Sequence, residues 1–538
     1  MSDGGSHTPS PRRTREIIAA LVLLIAVSAA VVVPRADVPA RGSGSPPSAL
    51  FSIDEMAIPD DSVLLEELEE AIDLRRREDF DRMLDAGDPG ELVQHATLTE
   101  GQLDSRPIDN ETLFIVGDEL FGYLFRPENG WGGIASFRPA MNRIPRLRSV
   151  HRGLAGGPDA FACFSCHFKG GPDGAGTQTQ NAFLRGDGLQ LASADQRNAP
   201  HLLGLGPVAL LAKEMSADLQ SQASGAVERA KAGGRPVEQP LASKSVSFGT
   251  ITALPDGTID YGRLQGVDRD LVVRPFGWKG HQATLRDMAE ESFHIHLGLL
   301  SNRIQLAVGD GSLDRAAYGT GKWSDVDEDG VSLELDSGML TTMVGYLSQL
   351  EVPVVRPPRD PGLVDAFAAG RANFAAIGCA GCHVPTLELV DSKFDARYPS
   401  GPETKPFVID VAKDGDRPKI EPKYAGSHTT YLVHLFSDLK RHDMGAALAT
   451  KSPQPSTRPL AADAIPAQVY LTRPLWGLAD TAPYLHDGRA PTLHDAIVLH
   501  GGEATAARDA YLALDEPGRA GVRVFLASLS RHPRLFVP

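Results

Sequence analysis

All four cysteines of the chain lie in two short motifs, each of which ends in a histidine. The first is Cys163-Phe164-Ser165-Cys166-His167 and the second is Cys379-Ala380-Gly381-Cys382-His383. In a C-x-x-C-H sequence the two thiols can form thioethers to the vinyl groups of a haem, and the histidine ligates the iron. The sequence therefore predicts two covalently bound haem c groups, with Cys163, Cys166, His167, Cys379, Cys382 and His383 as the binding residues.

Two other kinds of site also contain C-x-x-C pairs. In a zinc site, two such pairs come within a few tens of residues of each other, whereas the two motifs here lie far apart in the chain. A thioredoxin-like dithiol is the other alternative. The haem interpretation uses every cysteine and leaves none for a disulfide, a thiolate nucleophile or a zinc site.

The composition limits the partners of such a protein. The chain has 538 residues, 42% of them hydrophobic, and a net charge of −16. A chain of this length can bury two or more cores, and its negative charge argues against nucleic acid as a partner. An acidic surface can attract a basic electron-donor protein, such as a small cytochrome or cupredoxin, although most surface charge only keeps a protein solvated.

The N-terminus carries an export signal or a membrane anchor. Arg12, Arg13 and Arg15 precede an apolar segment at residues 17–33. This segment is close to the shortest that spans a bilayer and slightly long for the core of a signal peptide. Basic residues before it predict a periplasmic location for the rest of the chain, either released or anchored to the inner membrane by residues 17–33. Both alternatives suit covalent haem attachment outside the cytoplasm.

Periodicity predicts a mainly α-helical fold. Residues 61–84 show helical spacing of leucines, whereas residues 246–273 alternate apolar and polar side chains around Pro255-Asp256-Gly257, as a β-hairpin does. We expect two cytochrome c-like haem domains from an internal duplication, with a small β-hairpin insertion and an N-terminal apolar helix. The expected boundaries are 1–48 for the anchor or signal and linker, 49–110 for a helical extension, 111–355 for the first haem domain and 356–538 for the second.

A short internal repeat supports the duplication. Residues 280–287 line up with residues 488–495 and share Gly, Thr, Leu and Asp at corresponding positions. The two segments follow their C-x-x-C-H motifs at similar distances. Each Thr-Leu-x-Asp is typical of a helix start with threonine as the N-cap.

The two copies differ where a second iron ligand would lie. In the second copy, Leu493, Ala496, Ile497 and His500 share one helical face, so His500 is a candidate metal ligand on the distal side of the second haem. The alternative is a histidine that only caps its own helix. The first copy has Ser292 at the matching position.

A different histidine is the distal candidate for the first haem. His296 continues the face of Leu285, Met288 and Ser292, whereas His294 points the opposite way on an ideal helix. We predict His296 on the distal side, either as an iron ligand or as an acid–base group.

A separate acidic segment has the spacing of a calcium loop. Asp325-Val326-Asp327-Glu328-Asp329-Gly330 places acids at alternate positions before a glycine, and Asp336 stands at the twelfth position. That position is usually Glu, and Leu333 offers no side-chain oxygen at position nine. Calcium and a plain acidic turn therefore stand as alternatives, with Asp325, Asp327, Asp329 and Asp336 as the candidate metal ligands.

Several segments together resemble a known family. They are Arg197-Asn198-Ala199-Pro200, Pro275-Phe276-Gly277-Trp278-Lys279-Gly280, the second haem motif with its neighbours at 377–386, Arg441-His442-Asp443-Met444-Gly445, and Pro483-Tyr484-Leu485-His486-Asp487-Gly488-Arg489. In this order they resemble the di-haem oxidoreductases of the bacterial di-haem cytochrome c peroxidase superfamily, in the branch described as thiol oxidoreductases or peroxidases. The resemblance extends from about residue 110 to the C-terminus.

The resemblance implies different roles for the two haems. In such proteins the N-terminal haem is the reactive one, and the C-terminal haem stores and passes electrons. Trp278 matches the tryptophan that relays electrons between the haems. His500 matches the sixth ligand of the second haem, which is methionine in typical peroxidases, and His486 matches a histidine near that haem.

The chain also departs from the family pattern at its reactive haem. Peroxidases of this family carry a distal histidine soon after the first motif, and no histidine follows His167 closely here. Cleavage of peroxide needs an acid–base group beside the bound oxygen. In this chain that catalytic group would come from His296, Glu290 or Glu291.

These observations together predict a haem-dependent enzyme. We expect a periplasmic di-haem oxidoreductase of peroxidase type, which reduces a small-molecule oxidant, such as hydrogen peroxide, at the N-terminal haem. Two alternatives remain open, an electron-transfer cytochrome in which His296 closes the first haem, and a haem-dependent oxygenase.

Overall fold

The computed structural model describes residues 98–105, 108–132, 150–152, 159–186, 191–309, 311, 330–332, 334–399, 404–451, 453 and 464–531. The chain divides into two units, Met1–Glu55 and Met56–Pro538, and every described residue lies in the second unit. The apolar segment at 17–33 and the amphipathic segment at 61–84 lie outside the described residues. The predicted domain boundaries therefore stay predictions.

The predicted mainly α-helical fold is wrong. The described residues contain about 39% helix and 18% strand, and the strands form six small sheets. The strands have two to eight residues each. A strand of two or three residues is too short to show alternation, so the pattern of apolar residues does not distinguish it from a loop. The expected pair of mainly helical cytochrome c-like domains is accordingly not what the structure shows.

The helices of the described residues vary widely in length. They are α1 (Glu100–Ser105), α2 (Asn110–Gly122), α3 (Leu205–Gly233), α4 (Leu285–Ser292), α5 (Asn302–Gly309), α6 (Ser337–Ser348), α7 (Pro361–Ala376), α8 (Leu493–Val498), α9 (Thr505–Ala513) and α10 (Glu516–Ala527). None of these helices combines the length and hydropathy needed to cross a bilayer.

The strands pair in groups of two or three. They are β1 (Val150–Arg152), β2 (Ala182–Gly186), β3 (Asp195–Arg197), β4 (Val237–Ser243), β5 (Val246–Ala253), β6 (Ile259–Leu264), β7 (Val354–Val355), β8 (Leu387–Leu389), β9 (Lys393–Asp395), β10 (Val408–Asp410), β11 (Glu421–Ala425), β12 (His428–Val433), β13 (Arg441–Asp443), β14 (Val469–Leu471) and β15 (Leu529–Ser530). The sheet orders are β1-β2-β3, β4-β5-β6, β11-β12-β8, β10-β9, β13-β14 and β15-β7. Only β1 and β2 pair in parallel among these strands.

The predicted β-hairpin is formed by β5 and β6, which belong to the sheet β4-β5-β6. β5 pairs antiparallel with both β4 and β6. The turn between β5 and β6 closes through Gly257, which has a φ of 91° that L side chains rarely adopt. The Asp256 carboxylate accepts a hydrogen bond from the Thr258 amide at 2.9 Å and fixes this turn.

The two copies of the repeated octapeptide adopt a similar local conformation. An antiparallel bridge joins Phe276 to Gln282 in the first copy, and the equivalent bridge joins Tyr484 to Ala490 in the second. In each copy the threonine that follows caps a helix, α4 in the first and α8 in the second. The predicted helix starts are therefore confirmed.

Buried apolar side chains form two large clusters. The first joins α2, α3 and α6 to the sheets that contain β5 and β8. The second lies around the second C-x-x-C-H motif and is built from α7, α8 and α10. A Cβ on Gly370 of α7 would lie 1.8 Å from the Gly521 carbonyl oxygen of α10, so these two helices touch through their backbones. This close crossing brings the rings of Phe374 and Phe525 to 5.3 Å between centroids, and Cys379 packs against the same cluster.

Candidate functional site

The first C-x-x-C-H motif begins as one turn of 3-10 helix, Cys163–Ser165. The amides of Cys166 and His167 both donate to the Cys163 carbonyl oxygen, at 3.1 and 3.2 Å. His167 Nδ1 lies 3.2 Å from the Gly174 carbonyl oxygen. Because a carbonyl only accepts, Nδ1 carries the proton and Nε2 is left with a lone pair for a metal.

Burial keeps the groups of the first motif neutral. It lowers the pKa of His167 to about 4, so the imidazole is uncharged at neutral pH, as a metal ligand must be. Burial also raises the pKa of the Cys163 and Cys166 thiols to about 12. The two cysteines and the neutral histidine of this motif therefore fit haem attachment.

The second motif repeats this construction. Its 3-10 turn is Cys379–Gly381, and the His383 amide donates to the Cys379 carbonyl oxygen at 3.0 Å. His383 Nδ1 lies 3.0 Å from the Phe436 carbonyl oxygen, which again leaves Nε2 for a metal. Burial lowers the pKa of His383 to about 4.

His500 stands opposite His383 at the second motif. The two ring centroids are 6.5 Å apart, with an interplanar angle of 55°. A metal–imidazole bond of about 2.1 Å on each side, with about 1.2 Å from ring nitrogen to centroid, gives a separation of about 6.6 Å. The spacing of His383 and His500 therefore fits an iron with an imidazole on each face.

His500 caps its own helix, which is one of the two predicted alternatives, and its role as a ligand stays a prediction. His500 Nδ1 lies 2.7 Å from the Ala496 carbonyl oxygen, so the ring caps the C-terminal end of α8. The same hydrogen bond fixes the proton on Nδ1 and leaves Nε2 as the lone-pair donor. Burial lowers the pKa of His500, which favours the neutral form.

The first motif has a different environment. The aromatic ring beside His167 is Phe121, with centroids 6.1 Å apart. Among the described residues, no second histidine ring faces His167 as His500 faces His383. The two motifs therefore share a histidine held by a backbone carbonyl. They differ in that, among the described residues, only the second has another histidine facing that ring.

His296 lies near the first motif with an acidic partner. Its Nδ1 is 3.0 Å from Asp159 Oδ1, and the Asp159 side chain is only 5% exposed, against 37% for His296. Burial lowers the pKa of His296, but the charge and hydrogen bond of Asp159 outweigh it, so the pKa is raised above its ordinary value. The amides of Asp159 and Ala160, which come shortly before the first motif, donate to the His296 carbonyl oxygen at 3.1 and 3.2 Å.

The backbone around His296 departs from an ideal helix. α4 runs into a π-helical turn, Phe293–Leu297, and such turns are frequent at functional sites. The expectation that His294 and His296 lie on opposite faces of an ideal helix does not apply through a π turn. His294 is 5% exposed, whereas His296 reaches Asp159.

The structure separates the two candidate glutamates. Glu290 is buried and binds Ser301 and Arg303. Glu291 lies 3.0 Å from His281 Nε2, and its charge helps to raise the pKa of His296. Glu291 therefore belongs with His296, and Glu290 does not.

Sequence reasoning missed Asp159 and His281 as members of this group. Asp159 comes shortly before the first motif in no recognisable pattern, and only the fold brings it to His296. His281 is a residue of the repeated octapeptide, so its position beside Gly280 in that turn was a signal that could have identified it.

Trp278 contacts the surroundings of the second motif through its ring and a backbone carbonyl through its indole nitrogen. It lines a cavity of about 290 Å³ together with Cys379, Cys382, His383 and His500. Its Nε1 donates to the Asn198 carbonyl oxygen at 2.8 Å. The next residue, Ala199, accepts a hydrogen bond from Gly176 at 2.8 Å, and a Cβ on Gly176 would lie 3.1 Å from the Cys166 carbonyl oxygen.

Two further histidines lie in the lining of the same cavity. His486 stacks on Tyr470, with centroids 4.7 Å apart, and burial lowers the pKa of His486 to about 3. His442 lies 2.8 Å from carboxylate oxygens of both Asp438 and Glu503. Burial lowers the pKa of His442, but the hydrogen bond to Asp438 outweighs it and the pKa is raised to about 11.

Asp336 is the calcium candidate that the structure describes. Its carboxylate caps α6 by accepting from the Gly338 amide at 2.7 Å, and it also accepts from the Glu100 amide at 2.8 Å. Asp325, Asp327 and Asp329 lie outside the described residues. Calcium binding therefore stays a prediction.

Residues 408–529 match the family model described as "Di-haem oxidoreductase, putative peroxidase". This match confirms the predicted family resemblance over these residues. The matched range includes His442 and His500 but begins after His383. The family description names haem and an oxidoreductase, in agreement with the predicted cofactor and class of enzyme.

Among solved structures, the chain is similar to hydrazine synthase from Kuenenia stuttgartiensis under xenon pressure, at 18% sequence identity. The similarity covers 37% of this chain and 57% of that chain, with a TM-score of 0.21. A TM-score this low does not establish a common fold. A search of curated proteins found no match.

Proposed function

We propose that the chain is a periplasmic di-haem c-type oxidoreductase of peroxidase type. Hydrogen peroxide is reduced at the first site with electrons that pass through the second. The observation that supports this most strongly is the pair of facing rings at the second site, His383 and His500, 6.5 Å apart. No such pair of histidines exists at His167 within the described residues. When bound, haem supplies one-electron redox chemistry and, where its iron is open, a position for the oxidant.

The second site is built to pass electrons and not to bind substrate. His383 and His500 offer one Nε2 each from opposite sides, and both Nδ1 atoms are held by backbone carbonyls. If both rings held the iron of a haem, that haem would supply electron transfer and not a position for an oxidant.

The first site is built to move protons. Reduction of hydrogen peroxide to two waters takes two electrons and two protons. Asp159 holds Nδ1 of His296, so the proton that His296 can deliver is on Nε2. Asp159 also stabilises the protonated ring. Glu291, with His281 beside it, adds a second negative charge that helps His296 to hold its proton until it is delivered.

Trp278 connects the two sites in this proposal. Its ring lines the cavity of the second site, and its indole donates to the backbone at Asn198. The adjoining residue, Ala199, is hydrogen-bonded to Gly176, close to the Cys166 carbonyl of the first motif. The indole therefore provides an aromatic step between the two sites.

The proposed function includes a periplasmic location and a basic electron-donor protein. The basic and apolar N-terminal residues support export, with residues 17–33 as an anchor or a cleaved signal. A net charge of −16 favours a basic donor, such as a small cytochrome or cupredoxin.

Electron paramagnetic resonance of the oxidised full chain tests this function. We expect one high-spin signal from an open first haem and one low-spin signal from the second. Two low-spin signals would show an electron carrier instead of a peroxidase. Extraction with acid acetone is the control for covalent attachment, because haem c stays with the polypeptide. Oxygen uptake with candidate organic substrates tests the oxygenase alternative.

A further inference from the structure

Arg473 projects into the cavity of the second site. It follows β14, and the preceding residue, Thr472, donates from its amide to the Lys440 carbonyl oxygen at 2.9 Å. The Arg473 guanidinium carbon lies 5.7 Å from the centroid of the Trp278 ring. The backbone is therefore fixed and the guanidinium is placed beside the proposed relay.

The charge of Arg473 lacks a counter-charge in the described part of the chain. Two other buried arginines in that part of the chain form ion pairs, Arg274 with Asp270 and Arg531 with Glu351. Burial alone lowers the pKa of Arg473, to about 10, so the guanidinium still carries its charge at neutral pH. Moving a charged guanidinium out of water costs solvation free energy, and this cost is not offset unless an anion binds it. The position of Arg473 therefore points to an anion that is not part of the polypeptide.

His201 supplies a second, independent observation. It lines the same cavity and is 8% exposed, and its Nδ1 has no hydrogen-bond partner among the residues that the structure describes. Burial, and then the charge of Arg473, lowers the pKa of His201 to about 3, so the ring is neutral. A cation and an unpaired buried ring nitrogen thus meet in one cavity.

We propose that Arg473 and His201 form a carboxylate-binding site for a propionate of the haem at the second motif. This inference rests on the proposed function, because it requires a haem on Cys379 and Cys382. A guanidinium binds a carboxylate through two parallel hydrogen bonds. A carboxylate there also favours the protonated His201 ring, whose Nδ1–H donates one more hydrogen bond while the other ring nitrogen keeps its bond to the Pro474 carbonyl. Propionates are the carboxylates that a haem brings into such a cavity.

An arginine bound to the propionate also affects electron transfer. A cation held at the propionate favours the reduced haem, because reduction lowers the positive charge on the iron. Arg473 therefore raises the reduction potential of the second haem and makes this haem easier to reduce by the donor protein. The charge of residue 473 and its direct contact with the propionate both contribute to this potential, and different variants can separate the two contributions.

The test uses the purified full chain with both haems attached. In R473Q, we expect the ratio of reduced to oxidised second haem at a fixed potential to fall about tenfold, which is about 59 mV for one electron. R473K keeps the charge but loses the two-pronged geometry, so its potential should fall less. H201Q removes only the ring donor. In all three variants the propionate bands in the resonance Raman spectrum should shift, whereas R229Q, on the exposed part of α3, should leave the bands and both potentials unchanged.

Several outcomes would overturn the assignment. Unchanged potentials and unchanged propionate bands in R473Q would show that Arg473 does not touch the haem. A change confined to the first haem would show that the second motif is the wrong site. If added sodium acetate shifted the potential of the wild-type chain but not that of R473Q, the site would bind a free carboxylate instead. A wild-type chain without covalent haem would contradict the proposed function itself, and lack of peroxide turnover with normal haem potentials would not affect this inference.

Discussion

The two C-x-x-C-H motifs have the same proximal half and different distal halves. In both, a histidine donates a hydrogen bond from its Nδ1–H to a backbone carbonyl, that of Gly174 in the first and that of Phe436 in the second. Opposite the second stands His500, whose Nδ1 is also held by a carbonyl. Near the first lies His296, whose Nδ1 is held by the carboxylate of Asp159. In the proposed function the partner of Nδ1 distinguishes the two rings, because a carbonyl favours a neutral ligand and a carboxylate favours a ring that holds and releases a proton.

Local backbone structure explains how similar sequences give these different halves. α4 and α8 both start at a threonine N-cap within the repeated octapeptide. α8 ends at Val498, and His500 folds back to cap it. α4 instead continues into the π turn Phe293–Leu297, which carries His296 to Asp159.

The largest expected effect comes from removing the acid–base group of the first site. H296Q should lower kcat for hydrogen peroxide by about 10²–10⁴-fold, because O–O cleavage loses its proton donor. Steady-state turnover with a reduced donor protein measures the loss, and absorption spectra should show both haems unchanged. The matched control is H434Q, which alters a histidine that is 43% exposed and paired with Glu421. Equal turnover in H296Q and the wild type would contradict the role of His296.

The pH profile sharpens the same point. Asp159 raises the pKa of His296, so the proton is kept to higher pH and turnover should fall as pH rises through that raised value. D159N removes the charge, and the fall should begin at lower pH. The pair also stabilises the fold below the ordinary histidine pKa of about 6.5, and this contribution is lost as pH rises through the raised pKa. An identical profile in D159N would remove Asp159 from the mechanism.

The second largest effect concerns the distal ligand of the second site. H500M should raise the reduction potential of the second haem, by part of the roughly 0.8 V that axial ligands span. The haem should stay low-spin, because a thioether replaces the imidazole. H500A should instead open that iron and add a second high-spin signal. Spectroelectrochemical titration checks the first variant and electron paramagnetic resonance the second. If neither variant altered the second haem, His500 would only cap α8.

Much of the proximal chemistry could be predicted from sequence, because a C-x-x-C-H motif defines its own geometry within five residues. His500 could also be found, since α8 keeps regular helical spacing up to its cap. Asp159 could not be found, because its contact with His296 joins distant parts of the chain and no local pattern records it. The helical-wheel prediction of the face on which His294 lies does not apply to the π turn, since the wheel assumes an unbroken α-helix. The sheets were missed because their strands are too short to show a period.

A smaller effect should follow from changing the connection between the two sites. W278F should slow electron transfer from the second haem to the first, and both haem spectra should stay intact. The loss of the hydrogen bond to Asn198 should cost about 0.5–1.5 kcal/mol of unfolding free energy. Stopped-flow oxidation of the reduced chain by peroxide measures the transfer. W476F is the control, because Trp476 Nε1 also donates to a backbone carbonyl, that of His434. The same transfer rate in W278F and W476F would refute the relay.

The smallest effect should arise behind the proximal histidine of the first site. The Tyr346 hydroxyl donates to the Asp173 carboxylate at 2.6 Å, and the next residue, Gly174, holds His167. Asp173 is fully buried, so Y346F should lower the unfolding free energy by about 1–3 kcal/mol, because a buried carboxylate loses a donor. Denaturant titration measures this loss, and the first haem alone should change its spectrum. Y484F removes a neutral hydrogen bond to a carbonyl near the second site, and it should cost about 0.5–1.5 kcal/mol without altering the first haem. If both variants changed the two spectra equally, the proximal supports of the two sites would not be independent, and the difference between the sites could not be assigned to their distal halves alone.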